Sequence, residues 1–175
     1  MTKMRVFILL LILSVLCAPA AAQTCSVPSF TQPPVYPVGG DVRSVATADF
    51  DGDGHPDLAV ANADLSTVTV VLKAGRNEPA IINSYAVGTF PLSVATGDFT
   101  GDGKPDIIAA SNSSSTVSLL RNNGSGGFVS GGTFDSGSTG VDMAVGDFNN
   151  NGTLDVAVAL GSAVSILQGN INRTL

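Results

Sequence analysis

Polar and apolar positions alternate along three stretches of this chain, and the stretches are copies of one another. Residues 67–72 read Thr-Val-Thr-Val-Val-Leu, residues 116–120 Thr-Val-Ser-Leu-Leu, and residues 163–167 Ala-Val-Ser-Ile-Leu. A shorter, continuously apolar run precedes each of them, at 58–61, 107–110 and 156–160. Before the first such run stands Ser44-Val45-Ala46-Thr47-Ala48-Asp49-Phe50. Ser93-Val94-Ala95-Thr96-Gly97-Asp98-Phe99 and Asp142-Met143-Ala144-Val145-Gly146-Asp147-Phe148 match it. Short segments rich in Val, Ile and Thr, bounded by Gly, Asn and Pro, predict β-strands. A weaker apolar stretch, at 81–87 and 128–134, closes the first two groups. No segment beyond residue 22 sustains a 3.6-residue period with helix caps, so the fold class is all-β.

The groups have a fixed length. Asp49 and Asp98 are 49 residues apart, and Asp98 and Asp147 are 49 apart again. Four short strands in a unit of this size predict β-propeller-type blades. Residues 30–38 align 49 residues before 79–87 and read as a stray fourth strand, while the third unit stops after its third strand near Gln168. Twelve strands are thus expected, three blades' worth, offset by one strand. Closed rings usually need about four or more blades. Three imply an incomplete ring, or one that oligomerisation completes.

Between the first two strands of every unit lies an acidic loop. The copies are Asp49-Phe50-Asp51-Gly52-Asp53-Gly54-His55-Pro56-Asp57, Asp98-Phe99-Thr100-Gly101-Asp102-Gly103-Lys104-Pro105-Asp106 and Asp147-Phe148-Asn149-Asn150-Asn151-Gly152-Thr153-Leu154-Asp155. Side-chain oxygens at positions 1, 3, 5 and 9, with a backbone carbonyl at position 7, form an oxygen-only donor set that suits Ca²⁺ better than Mg²⁺. The candidate ligands are Asp49, Asp51, Asp53, His55 and Asp57 in the first loop and Asp98, Thr100, Asp102, Lys104 and Asp106 in the second. In the third they are Asp147, Asn149, Asn151, Thr153 and Asp155. His55, Lys104 and Thr153 would contribute only their carbonyls. Glycine at positions 4 and 6, as Gly52 and Gly54 in the first loop, lets the backbone curl. Up to three ions are expected, with affinity in the first loop at least that of the second, and the second above the third, as carboxylates give way to Thr and Asn. An EF-hand would need Glu at position 12, where Val60, Ala109 and Val158 stand, and helices on either side. One Asp/Gly cluster alone would be ordinary turn chemistry; three at one period point to metal. The Phe at position 2 (Phe50, Phe99, Phe148) is expected to pack.

The pattern Asp-x-(Asp/Asn)-x-(Asp/Asn)-Gly-x-x-Asp between two strands resembles the FG-GAP/VCBS repeat family, the calcium-binding blades of integrin α-chain propellers and of many secreted bacterial proteins. The resemblance spans residues 30–168. It implies a β-propeller with calcium held between the first two strands of each blade. Thr100 departs from the pattern, and so does the small number of blades.

Residues 1–22 stand apart. Lys3 and Arg5 precede an apolar run at 6–17, and an A-x-A sequence ends at Ala22, which reads as a secretory signal peptide. A linker at 23–29 and the repeats at 30–175 follow. Export, with no membrane span, is expected. Without Lys3 and Arg5 there remain 6 basic against 14 acidic side chains, a formal charge of −8. That balance argues against a nucleic-acid partner. Nine of the 14 acids lie in the loops, so the charge is mostly local. Cys25 is the one cysteine after the leader, which excludes an intramolecular disulfide.

Catalytic signals are weak. Asp135-Ser136-Gly137 resembles half of an aspartic-protease pair, but no second copy exists. His55 is the single histidine, so no nucleophile–base arrangement has two good members. Arg43, Arg76 and Arg121 stand apart from any motif and are expected in solvent. The chain therefore reads as a non-enzymatic, secreted or periplasmic protein with a binding, adhesion or structural role. Its partners would be a surface protein, a glycan, or copies of itself joined by exchange of the strand at 30–38. A carbohydrate-binding or carbohydrate-cleaving propeller, or a fragment of a longer array, is the alternative.

Overall fold

In the computed structural model, residues 34–76 and 78–170 are described. They form eleven strands. The first sheet takes β1 (Val42–Ala48), β2 (Asp57–Asn62), β3 (Thr67–Leu72) and β4 (Ile81–Ala86). The second takes β5 (Pro91–Gly97), β6 (Asp106–Ser111), β7 (Thr116–Asn122) and β8 (Phe128–Asp135). The third takes β9 (Gly140–Gly146), β10 (Asp155–Leu160) and β11 (Ala163–Leu167). Each sheet is an antiparallel meander in sequence order, the arrangement of a propeller-type blade. The described residues contain no helix, and so none long and apolar enough to cross a membrane.

The strand at 30–38 departs from expectation. Pro34–Val38 carries no strand, and 30–33 lie outside the described residues. Pro33, Pro34 and Pro37 offer no N–H to a ladder, which outweighs the match of apolar positions. The leader at 1–22 and the linker at 23–29 also lie outside the described residues.

The hydropathy pattern is explained by how the blades stack. β6 is buried at every position and β2 at all but one, because sheets or loops cover both faces of these second strands. A strand covered on both sides reads as a continuous apolar run rather than an alternating one. Two cores result. Ala59, Ala61, Val68, Val70 and Leu72 of the first blade meet Val94, Ile107, Ala109, Leu120 and Phe128 of the second. On the opposite face of the second blade, Ile108, Ala110, Val117 and Leu119 meet Val156 and Val158 of the third. Burial of each Val, Leu, Ile or Phe among them is worth about 1.5–3 kcal/mol.

The repeat extends to irregularities. Pairing with the second strand shifts register at residue 43 in β1, at 92 in β5 and at 141 in β9, positions 49 apart. The first strands lie side by side and are stitched at the same step. The backbone N–H of Val94 donates to Ser44 Oγ at 3.2 Å, Ser93 Oγ donates to Asp142 Oδ1 at 2.9 Å, and Thr96 Oγ1 donates to the Thr47 carbonyl at 3.3 Å. The three blades form an arc, and the ring is not closed.

Candidate metal centre

Each acidic loop leaves the end of a blade's first strand and enters its second. The position-1 aspartate builds the bend. Asp49 accepts the backbone N–H groups of Gly52, Asp53 and Gly54 at 2.8–3.1 Å. Asp98 accepts those of Asp102 and Gly103, and Asp147 those of Asn151 and Gly152. Tight curling of this kind requires positive φ at positions 4 and 6. Gly52 and Gly54 adopt 76° and 85°. In the third loop Asn150 takes position 4 at 57°, which a short amide side chain tolerates.

The position-9 aspartate has a role that the sequence did not disclose. Asp57, Asp106 and Asp155 are fully buried. One oxygen of each accepts a loop N–H, from Phe50, Thr100 and Phe148 respectively, at 2.9–3.1 Å. The other accepts the N–H of the residue that ends or follows the third strand, Lys73, Asn122 or Gly169, at 2.8–2.9 Å. This carboxylate thus pins the loop to the third strand in all three blades. Asn122 adds a link between blades, because its Nδ2 donates to the carbonyls of Phe50 and Pro105, both at 3.0 Å.

The first loop brings three carboxylates together. Asp49, Asp51 and Asp57 each place an oxygen within 4.8 Å of the others, the one such acidic group among the described residues. Their lone pairs are not exhausted by the backbone donors, since a carboxylate has about four acceptor sites. Oxygen donors, high charge and convergence fit a hard cation, so the group can hold a metal ion. Partial desolvation raises the pKa of Asp51, and the neighbouring Asp57 and Asp53 charges act in the same direction. A cation at this point would reverse that penalty.

Asp53 stands outside the group. It is exposed, and Arg76 donates to both of its oxygens, at 2.8 Å for Nη2 to Oδ1. That pairing lowers its pKa to about 2. Arg76, expected in solvent, is largely covered and also lies 3.9 Å from Asp57. Arg43 is not isolated either: it pairs with Asp41 and sits 5.7 Å above the Phe90 ring. His55 is exposed, as the loop position implied.

The second and third loops bring no three carboxylates together in this way. Lys104 Nζ lies 3.3 Å from Asp102 Oδ2, so this lysine offers more than a carbonyl. Burial raises the pKa of Asp106. Thr100 Oγ1, at position 3, is buried without a hydrogen bond of good geometry, an oxygen that a cation would satisfy. In the third loop Asn151 is committed to the fold. Its Nδ2 donates to the Gly169 carbonyl at 3.1 Å, and its Oδ1 accepts from Thr153 N and Oγ1 at 2.8 and 2.5 Å. Asp135, the candidate protease residue, accepts the Gly137 N–H at 2.7 Å and shapes a turn.

Blades of antiparallel strands, with an acidic loop between the first two strands of each, define a propeller-type repeat protein. The family model for the FG-GAP-like repeat matches residues 49–109 and again 98–158, two windows set 49 residues apart. Together they cover more than half of the chain, which belongs to the FG-GAP-like repeat family. No curated protein matches it.

Proposed function

We propose that this is an exported, calcium-binding repeat protein of the FG-GAP/VCBS type whose role is binding, adhesion or structure rather than catalysis. The observation that carries this reading is the convergence of Asp49, Asp51 and Asp57 on a loop between two strands of a family-matched blade. Asp49, Asp51 and Asp57, with the His55 carbonyl, would hold the ion in the first loop. When bound, calcium supplies the positive charge that lets clustered carboxylates coexist without a proton. The chain's own part is to fix the loop: Asp49 closes the bend, Gly52 and Gly54 permit it, and Asp57 ties it to β3. The apolar leader at 1–22 supports export.

Calorimetric titration of the metal-stripped chain with calcium, paired with melting curves, tests the reading. Calcium at about 100 times its Kd should add about 2.7 kcal/mol of stability. Asp51→Asn should lower the affinity of the tightest site. No heat of binding and no rise in Tm would refute the calcium assignment.

A further inference from the structure

The segment at 34–41 holds the first blade without joining its ladder. Pro34–Val38 forms no strand. The Asp41 carbonyl accepts the Ala63 N–H at 2.9 Å, the Val38 carbonyl accepts from Asn62 Nδ2 at 3.4 Å, and the Tyr36 hydroxyl accepts the Gly75 N–H at 2.5 Å. The first of these recurs 49 residues on, where the Phe90 carbonyl accepts the Asn112 N–H at 3.0 Å. The last does not. In the second blade the glycine equivalent to Gly75 is Gly124, whose N–H donates to Asn122 Oδ1 within its own turn at 2.8 Å. Tyr85, the equivalent of Tyr36, instead sets its ring against Phe128. Lys73 stands where the second blade has Asn122 and offers no side-chain acceptor, so the Gly75 N–H goes to Tyr36. The residue after Gly75 is Arg76, whose equivalent is Ser125. Two contacts peculiar to the first blade thus fall on adjacent residues.

We infer that 34–41 is a strap that restrains calcium binding at the first loop, acting through Tyr36, Gly75 and Arg76. The turn at 73–76 is fixed at one end by Asp57, which accepts the Lys73 N–H, and at the other by Tyr36. So fixed, it presents Arg76 to Asp53, and both terminal nitrogens of the guanidinium engage that carboxylate. Asp53 is then withheld from Asp49, Asp51 and Asp57. Calcium takes about six to eight oxygens, and Asp53 is the one carboxylate of this loop outside the converging group. Recruiting it requires Arg76 to let go, so the turn that carries Arg76 must give. The strap opposes that shift with the hydrogen bond at Tyr36, and it is free to lift there because no strand pairing holds 34–38. Coupling is reciprocal: calcium weakens the hold of Tyr36 on Gly75 by the factor by which the strap weakens calcium binding. The inference rests on the calcium reading of the first loop and adds a restraint to it.

Tyr36→Phe removes the hydroxyl and keeps the ring, and it is the test. Calorimetric titration with calcium should show the first-loop site about two- to threefold tighter, the scale of one exposed hydrogen bond and no more than the gain from Arg76→Ala. Tyr36→Phe combined with Arg76→Ala should bind no tighter than Arg76→Ala alone, because the strap acts through that guanidinium. Hydrogen exchange gives a readout that needs no calcium: in chelator the Gly75 amide should exchange faster in Tyr36→Phe than in the native chain. Tyr85→Phe, 49 residues on, should change neither quantity. Native binding with an affinity that Tyr36→Phe leaves unchanged, or gains from the two substitutions that multiply, would overturn the strap and leave the calcium reading standing. Gly75 exchange that Tyr36→Phe does not alter would overturn it as well. A native chain that binds no calcium would sink the reading itself, and the strap's role with it.

Discussion

Arg76 grips Asp53 with both of its terminal nitrogens and reaches toward Asp57 at 3.9 Å. The contact places a fixed positive charge against the loop whose other three carboxylates converge. It is peculiar to the first blade, because the residue 49 positions later is Ser125. Arg76 thus acts as a counter-ion of the loop and holds Asp53 away from the group. Arg76→Ala should release Asp53 and tighten calcium binding at the first loop by about two- to fivefold, the scale of a partly exposed ion pair. Arg76→Lys, which keeps the charge but loses the two-pronged grip, should fall between. Titration calorimetry reads both; unchanged affinity in Arg76→Ala would remove the counter-ion role.

The same contact sets a pH dependence. Arg76 holds the folded pKa of Asp53 down to about 2, below the ordinary carboxylate range. A depressed pKa means that the pair's contribution is present in full above the unfolded value and is lost as the pH falls from there to about 2. Asp106 works in the opposite sense. Burial raises its pKa, so in metal-free protein its ionised form disfavours the fold, and that penalty fades as the pH falls through the raised value. Carboxyl carbon shifts followed by NMR in chelator should show Asp106 protonating well before Asp53. In Arg76→Ala the Asp53 midpoint should rise into the ordinary range.

The three buried aspartates at position 9 should matter with or without calcium. Each accepts two backbone N–H groups. Asp106→Ala would strand two donors in a covered site, a loss of about 2–4 kcal/mol at the usual cost per buried group. Denaturant unfolding in excess chelator is the measurement. A loss seen only in calcium would mean that Asp106 is a ligand and no more than that.

How far the sequence showed all this depends on what each feature is made of. β3 falls at 67–72 and β11 at 163–167, where the sequence marked them, because short runs of β-branched and apolar residues bounded by turn residues favour a strand whatever covers its faces. The loops were visible for a similar reason, their glycines and acids being the very groups that form the bend. The hold of Asp57 on β3 was not visible, since its partner is the main-chain N–H of Lys73, a group every residue but proline carries. The role of Arg76 leaves no mark in the sequence, because its partner lies 23 residues away and no other unit repeats the pair. The strand expected at 30–38 does not form over 34–38, because apolar positions that match 79–87 do not restore the N–H groups that Pro34 and Pro37 lack.

Loop affinities should be unequal, and the geometry sharpens the order that charge alone suggested. The first loop unites three carboxylates, whereas in the third Asn151 spends its amide on Gly169 and Thr153. Asn149→Asp would add a carboxylate at position 3 of the third loop, and should strengthen its calcium binding more than Thr100→Asp strengthens the second, which begins with one more acid. Resolved calorimetric sites, or calcium-induced NMR shifts per loop, would rank them. A third loop that binds as tightly as the first in the native chain would show that charge count does not set the order.

Phe50 and Phe148 occupy the same place in the repeat and differ in what covers them. Phe50 is fully buried, with its ring edge-on to Phe128 at 5.3 Å, and Phe128 in turn meets Tyr85 at 5.4 Å. Phe50→Ala would open a cavity between the first two blades and should cost about 3–5 kcal/mol. Phe148 is half-exposed, so within one chain Phe148→Ala has little to lose. Melting curves should therefore show a large drop for Phe50→Ala and almost none for Phe148→Ala. A drop for Phe148→Ala as large as that for Phe50→Ala would show that something covers that phenyl ring in solution.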